Sequence, residues 1–161
     1  LAKYVHTDSI VLDAGAGTGL VGLALAEQGF QNLTAMDLSE GMLEEARDKN
    51  VYGKLDQMVL GKPLSYATDS FDAVISVGVM TLGHAGPGSF KELLRITKPQ
   101  GYIVFTIRTD VYLKNGFKEK QEEMESKKLW EVVDVSEEFH PLPTGEPDVL
   151  HQVWVYRVLN Y

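Results

Sequence analysis

The residues best suited to chemistry stand together in Asp13-Ala-Gly-Ala-Gly-Thr-Gly19, where three glycines alternate behind an acid. Glycine tolerates left-handed backbone and leaves its N–H uncovered, so such a run can pass close under a ligand. Asp37 follows a second short apolar run. A carboxylate only accepts hydrogen bonds, which suits it to the two hydroxyls of a ribose. The two features together describe a nucleoside site, and two cofactor classes compete for it. The dinucleotide fingerprint G-x-G-x-x-G would place its third glycine at position 20, where Leu20 stands; the third glycine here is Gly19. That spacing favours a nucleoside without a pyrophosphate over a nicotinamide dinucleotide. The plain alternative is a tight turn followed by a surface acid.

Such a loop works only if a strand delivers it and a helix receives it. Ile10 to Leu12 reads as the strand and Leu20 to Gln28 as the helix, whose positive end then faces the ligand. Gly29 fits the helix C-cap. From there the chain alternates apolar runs with helix-period segments, the rhythm of a parallel sheet covered on both faces. Leu33 to Asp37 is the second strand, and Ser39 caps a helix reaching about Lys49 with Met42, Leu43 and Ala46 on one face. Leu55 to Leu60 is the third strand, with a loop from Gly61 to Ser70. Phe71 to Val77 is the fourth and most apolar, followed by an irregular glycine-rich stretch, Gly78 to Gly88. Ser89 caps a helix through Ile96 that ends before Pro99 and Gly101, and Tyr102 to Ile107 is the fifth strand. The charged segment from Asp110 to Lys128 reads as a helix with an apolar stripe. Leu129 to Val135 and Val149 to Leu159 flank the proline-bearing loop His140 to Pro147, too short for a crossover helix, so an antiparallel hairpin is predicted.

The bulk numbers bound the function. A chain of 161 residues makes one domain, spanning residues 1–161 and able to bury roughly 70% of its unfolded surface. The net charge of −8 argues against a nucleic-acid partner, whose phosphates call for a basic face. No apolar run approaches the ~20 residues needed to cross a membrane, so a cytoplasmic protein is expected. With no cysteine there is no disulfide and no thiolate nucleophile, and His6, His84, His140 and His151 lack paired ligand spacing, so no metal is expected. Leu1 is not an initiator methionine and the first strand follows almost at once, so N-terminal helices that would close over the site are expected to be missing.

In order and spacing, Val11-Leu-Asp-Ala-Gly-Ala-Gly-Thr-Gly19, Asp37-Leu-Ser-Glu-Gly-Met-Leu43, Phe71-Asp-Ala-Val74 and Arg95-Ile-Thr-Lys-Pro-Gln-Gly101 resemble the successive motifs of class I S-adenosylmethionine-dependent methyltransferases. Within that superfamily, Gly17-Thr-Gly-Leu-Val21, Thr97-Lys-Pro99 and Arg108-Thr109 are similar to the methyltransferase-like proteins of the Williams-Beuren syndrome region. The resemblance implies an α/β Rossmann-like sandwich with a seven-stranded sheet of order 3-2-1-4-5-7-6, its last strand antiparallel. It implies S-adenosyl-L-methionine as cofactor, with Gly15, Ala16, Gly17, Thr18 and Gly19 under the methionine moiety and Asp13 orienting the loop and the amino group. Asp37 would take the ribose diol, with Leu38 and Met42 against the adenine. Many relatives carry an acid after the third strand; Leu60 or Gly61 fills that place here, which leaves the adenine amine to backbone groups.

Methyl transfer asks the protein mainly to align and desolvate a nucleophile, so no particular acid or base is demanded. Ser76, Val77, Gly78 and the loop Met80-Thr-Leu-Gly-His84 should line the acceptor side. His84 is the candidate general base by its ordinary pKa, against the bland reading of a solvated loop histidine. Arg108 and Tyr112 also face the acceptor; Arg108 suits a carboxylate or phosphate, or equally a helix cap or surface ion pair. The fourth strand is not followed by the Asn- or Asp-Pro-Pro-Tyr sequence of relatives that methylate nucleic-acid amino groups. The leading expectation is methyl transfer to a small molecule or, second, to a protein side chain. The rivals are a cofactor-holding module that acts through a partner without turnover, and an NAD(P)-dependent oxidoreductase.

Overall fold

Runs such as Val11, Leu12 and Ala14, or Ala73, Val74 and Ile75, are buried without a polar alternate, the pattern of strands covered on both faces. The computed structural model describes residues 1–81, 83–141, 144–146 and 148–159. In chain order its elements are β1 (Ile10–Ala14), α1 (Leu20–Glu27), β2 (Asn32–Asp37), α2 (Glu40–Arg47), β3 (Lys54–Gln57), β4 (Phe71–Met80), α3 (Phe90–Ile96), β5 (Thr97–Arg108), α4 (Thr109–Lys114), α5 (Phe117–Ser126), β6 (Trp130–Val135) and β7 (His151–Val158). One seven-stranded sheet has the order β3-β2-β1-β4-β5-β7-β6, and β7 runs antiparallel to both β5 and β6. The order reverses between β1 and β4, which opens a crevice past their C-terminal ends.

The two sheet faces are built differently. One carries an aromatic core in which Phe90, Phe105, Trp130 and Tyr156 are fully buried and linked by ring contacts, Phe90 to Phe105 and Trp130, and Tyr156 to Phe105 and Trp130. The other packs Val11, Leu33, Ala73, Ile75 and Val155 beneath Leu25 and Phe30. The motif residues Asp72, Arg95 and Lys98 are braces. Asp72 accepts the Ile10 N–H at 2.8 Å and pairs with Lys98 at 2.7 Å, tying the starts of β1, β4 and β5 together. Arg95 forks onto Glu92 and donates to the carbonyls of Leu64 and Tyr66, which straps the 61–70 loop to α3.

Several boundaries differ from those predicted. β4 does not stop at Val77: it passes through a bulge to Met80, because Gly78 takes φ +74° and its N–H is received by Thr106 Oγ1 at 2.8 Å. β5 begins at Thr97 and runs through Pro99 and Gly101, with Thr97 paired to Phe71 and Gln100 at φ +66°. The expected 110–128 helix is two, broken at Gly116 with φ +79°. β3 ends at Gln57, three residues short of Leu60. Ser89 does not cap α3 through its side chain; its hydroxyl donates back to Gly86 O at 2.6 Å in a 3-10 turn. Among the described residues no helix is long and apolar enough to cross a membrane, and no three acidic or histidine side chains gather as metal ligands would.

Candidate active site

Backbone hydrogen bonds hold the glycine loop against β2. The N–H groups of Gly15 and Ala16 both reach Met36 O, at 2.7 and 3.0 Å, and Gly17 N–H donates to Asp37 Oδ2 at 2.8 Å. The other Asp37 oxygen receives Ser39 N–H at 2.9 Å, so the carboxylate is fixed between loop and helix start with lone pairs to spare. Gly15, Gly17 and Gly19 all have positive φ, at +86°, +52° and +85°. Only the first and third are also hemmed in: a Cβ on Gly15 would collide with Val79 Cγ2, and one on Gly19 would press Ala46 and Tyr52 at 3.1 Å. At Gly17 a Cβ would meet nothing within 4 Å, because it would project into the crevice. That crevice encloses about 550 Å³, in the range of small-ligand sites, with Gly17, Asp37, Met42 and Val77 among its walls.

Behind the loop lies Asp13, 1% exposed. Its Oδ2 accepts the Tyr52 hydroxyl at 2.6 Å, while Oδ1 has no partner among the described residues. Burial pushes the carboxyl up to about 6 against the pull of the Tyr52 hydrogen bond, and the charge of Asp37 adds to the rise.

A second cavity of about 430 Å³ shares two lining residues with the crevice, Gly78 at the β4 bulge and His84. His84 is exposed, and its Nδ1 is paired with Thr81 Oγ1 at 2.7 Å. Arg108 reaches this cavity with its fork engaged, Nε and one terminal nitrogen each donating to Asp110 at 2.9 Å. Opposite Arg108 in the β5–β7 register stands His151, 6% exposed, whose ring makes no hydrogen bond among the described residues. Burial, then the Arg108 charge, lowers its pKa from the ordinary histidine value. Phe139 exchanges two 2.9 Å backbone hydrogen bonds with His151, which seats the loop after β6 and brings Glu146 to the cavity wall.

Of the residues expected at the site, Gly15, Ala16, Gly17, Thr18, Asp37, Met42, Val77, Gly78 and His84 line the first cavity. Asp13 and Ser76 are buried behind it, Ser76 donating to Ala14 O at 2.8 Å. Gly19 sits at the helix start, and Leu38, one residue past β2, is exposed. Leu60 and Gly61 are not among the residues lining the first cavity, and Leu60 packs partly buried against the larger core cluster. Tyr112 packs against Trp154, ring centroids 5.0 Å apart and tilted by 33°, and is not among the residues lining either cavity. Leu82, within the expected acceptor loop, and Leu142, Pro143 and Pro147 lie outside the described residues. Sequence reasoning missed Tyr52, Val79, Glu146 and His151. Val79 had a signal in the β-branched run continuing past Gly78; the other three are brought in by tertiary contacts.

The comparisons agree with this geometry. Residues 12–105, more than half of the chain, match the family described as "Methyltransferase domain". The chain is 35% identical over 127 residues to human methyltransferase-like protein 27, covering 76% of this chain and 51% of that protein. It is 39% identical over 94 residues to the demethylmenaquinone methyltransferase of Corynebacterium glutamicum, covering 58% and 39%. The chain thus spans about half or less of the length of these curated relatives. Among solved structures, S-adenosylmethionine-dependent methyltransferases from Methanosarcina mazei and Mesorhizobium loti share the fold, with TM-scores of 0.76 and 0.72 at 16% and 18% identity, covering 99% and 97% of this chain and 97% and 94% of theirs. The nicotinamide oxidoreductase expected as an alternative has no counterpart among these relatives. The chain belongs to the methyltransferase-domain family, the class I enzymes whose cofactor is S-adenosyl-L-methionine.

Proposed function

We propose that this chain transfers a methyl group from S-adenosylmethionine to a small-molecule acceptor held in the second cavity. The observation that carries the reading is that Gly78 and His84 line both cavities, while Asp37, suited to a ribose diol, lines the first alone. The residues present fit the cofactor: Gly17 has a bare backbone facing the crevice, and Asp13 keeps an orphaned carboxylate oxygen behind the loop for a nearby ammonium group. When bound, the cofactor supplies a methyl already activated by a sulfonium charge. The chain's own part is alignment and exclusion of water. Asp37 would fix the ribose end, Met42, Val77 and Val79 form apolar walls, and the second cavity would hold the nucleophile.

Two relatives support a small or carrier-bound acceptor: the demethylmenaquinone methyltransferase above and a malonyl-[acyl-carrier protein] O-methyltransferase of Erwinia pyrifoliae, 37% identical over 106 residues. Calorimetry with S-adenosylmethionine, S-adenosylhomocysteine, NAD and NADP tests the cofactor half. Binding of the first two is expected; binding of NAD alone would sink the reading. Turnover against a metabolite panel, run on the full-length protein, tests transfer itself.

A further inference from the structure

The second cavity holds a group that the glycine loop and its partners leave unused. His151 is 6% exposed, its ring makes no hydrogen bond among the described residues, and it lines the cavity that shares Gly78 and His84 with the cofactor crevice. A neutral imidazole carries one donor and one acceptor nitrogen, and with no neighbouring side chain engaging either among the described residues, both can take a partner from the cavity. We propose that His151 receives the acceptor's X–H group and serves as the general base, and that the acceptor is a small molecule with a protic nucleophile, a hydroxyl or an amine.

Every charged group around the ring bears on this choice. From β5, Arg108 stands directly across the register; from α4, Asp110 holds the Arg108 fork; from the loop after β6, Glu146 closes the wall. Burial and the Arg108 charge keep the imidazole neutral near pH 7, where its lone pair can accept, while the two carboxylates outnumber the one guanidinium and oppose an anionic acceptor. His84 also lines this cavity, but it is exposed to solvent, whereas His151 is withdrawn from it. Arg108 spends its Nε and one terminal nitrogen on Asp110, so its charge is already partly balanced before any acceptor arrives. The step balances simply: a lone pair on the acceptor's oxygen or nitrogen bonds to the methyl carbon, the carbon–sulfur pair stays on sulfur, and the displaced proton passes to the free nitrogen of His151 and on to water.

The inference rests on the methyl-transfer reading, and one sample tests both separately. The chain is saturated with S-adenosylhomocysteine, its affinity recorded by calorimetry, and the His151 ring followed by NMR while phenol, benzylamine or benzoate is added. Phenol and benzylamine should shift the His151 ring signals saturably and benzoate should not. Phenol binding should also weaken as pH falls through the ring's own titration, below the ordinary histidine range. His151→Gln should lower phenol affinity about tenfold, the loss of one hydrogen bond to a buried group; the wild-type titration stands even if that variant folds poorly. A His151 ring untouched by all three probes, or shifted by benzoate alone, overturns the inference. Failure of S-adenosylhomocysteine to bind while phenol still shifts His151 would instead overturn the methyl-transfer reading.

Discussion

The Tyr52 hydroxyl donates to Asp13 at 2.6 Å and accepts the Gly22 N–H at 3.0 Å, so one side chain from the α2–β3 connection ties the end of β1 to the first turns of α1. The glycine loop lies between those two anchor points, and its shape therefore depends on a residue outside it. A Cβ at Gly22 would overlap the Tyr52 ring and hydroxyl. Gly22→Ala should expel Tyr52, leaving Asp13 and the Gly22 amide unpaired in a buried place, at a cost of about 2 to 4 kcal/mol. Because the clash is with Tyr52 itself, Gly22→Ala combined with Tyr52→Leu should cost less than the sum of the two single changes. Urea unfolding of the three variants decides; strict additivity would show that the two residues do not communicate.

Asp13 makes the apo protein sensitive to pH in an unusual direction. A carboxyl raised to about 6 from 3.8 favours its protonated form in the folded state, so its contribution to stability is complete below 3.8 and is lost as pH rises through about 6. Across that window the loss amounts to roughly 3 kcal/mol. His151 runs the other way: its pKa lies below the ordinary value of 6.5, so stability is lost as pH falls from 6.5 through its folded value. The two oppose each other in whole-protein melts. Subtracting the Asp13→Asn stability curve from that of the wild type isolates the first; the difference should slope between about pH 4 and 7, and a flat difference would mean that Asp13 titrates normally.

The outer and middle glycines make a paired prediction. Gly15 and Gly17 share positive φ, but a Cβ strikes Val79 at Gly15 and only the crevice at Gly17. Gly15→Ala should lose both stability and S-adenosylhomocysteine affinity. Gly17→Ala should cost only the ~1 kcal/mol of a left-handed alanine yet bind the ligand at least about tenfold more weakly. Melting curves and calorimetry on both variants separate the two losses. Equal destabilisation would show that Gly17 is packed as tightly as Gly15.

These residues also show what a linear reading can reach. The glycine loop and Asp37 were legible because their demands are local: positive φ asks for glycine, and a strand end followed by Ser39 asks for an acid and a cap. The closing hairpin was legible from chain length, since too few residues separate its strands for a crossover, and the order of the sheet came with the motif resemblance. The β4 extension was not, because Gly78 reads as a breaker until Thr106 on the next strand supplies a partner for its N–H. Tyr52 and His151 were opaque for a stronger reason. Tyr52 sits in no motif and acts across 39 positions of sequence, and His151 gains its meaning from antiparallel register with Arg108.

Gln121 is a last departure from what a core residue should be, and it lies far from either cavity. It is 1% exposed on α5, and both atoms of its amide lack a partner among the described residues, although its backbone carbonyl receives Trp130 Nε1 at 3.4 Å. Burying an unpaired amide costs about 1 to 3 kcal/mol, and an apolar side chain of similar length keeps the packing while removing that cost. Gln121→Met should therefore raise stability by about 1 to 2 kcal/mol, or a few degrees in Tm for a chain of this size, with S-adenosylhomocysteine affinity unchanged. Differential scanning calorimetry gives the first quantity and isothermal titration the second. A lower Tm would mean that the amide is satisfied by water within the core and that Gln121 belongs to the packing after all.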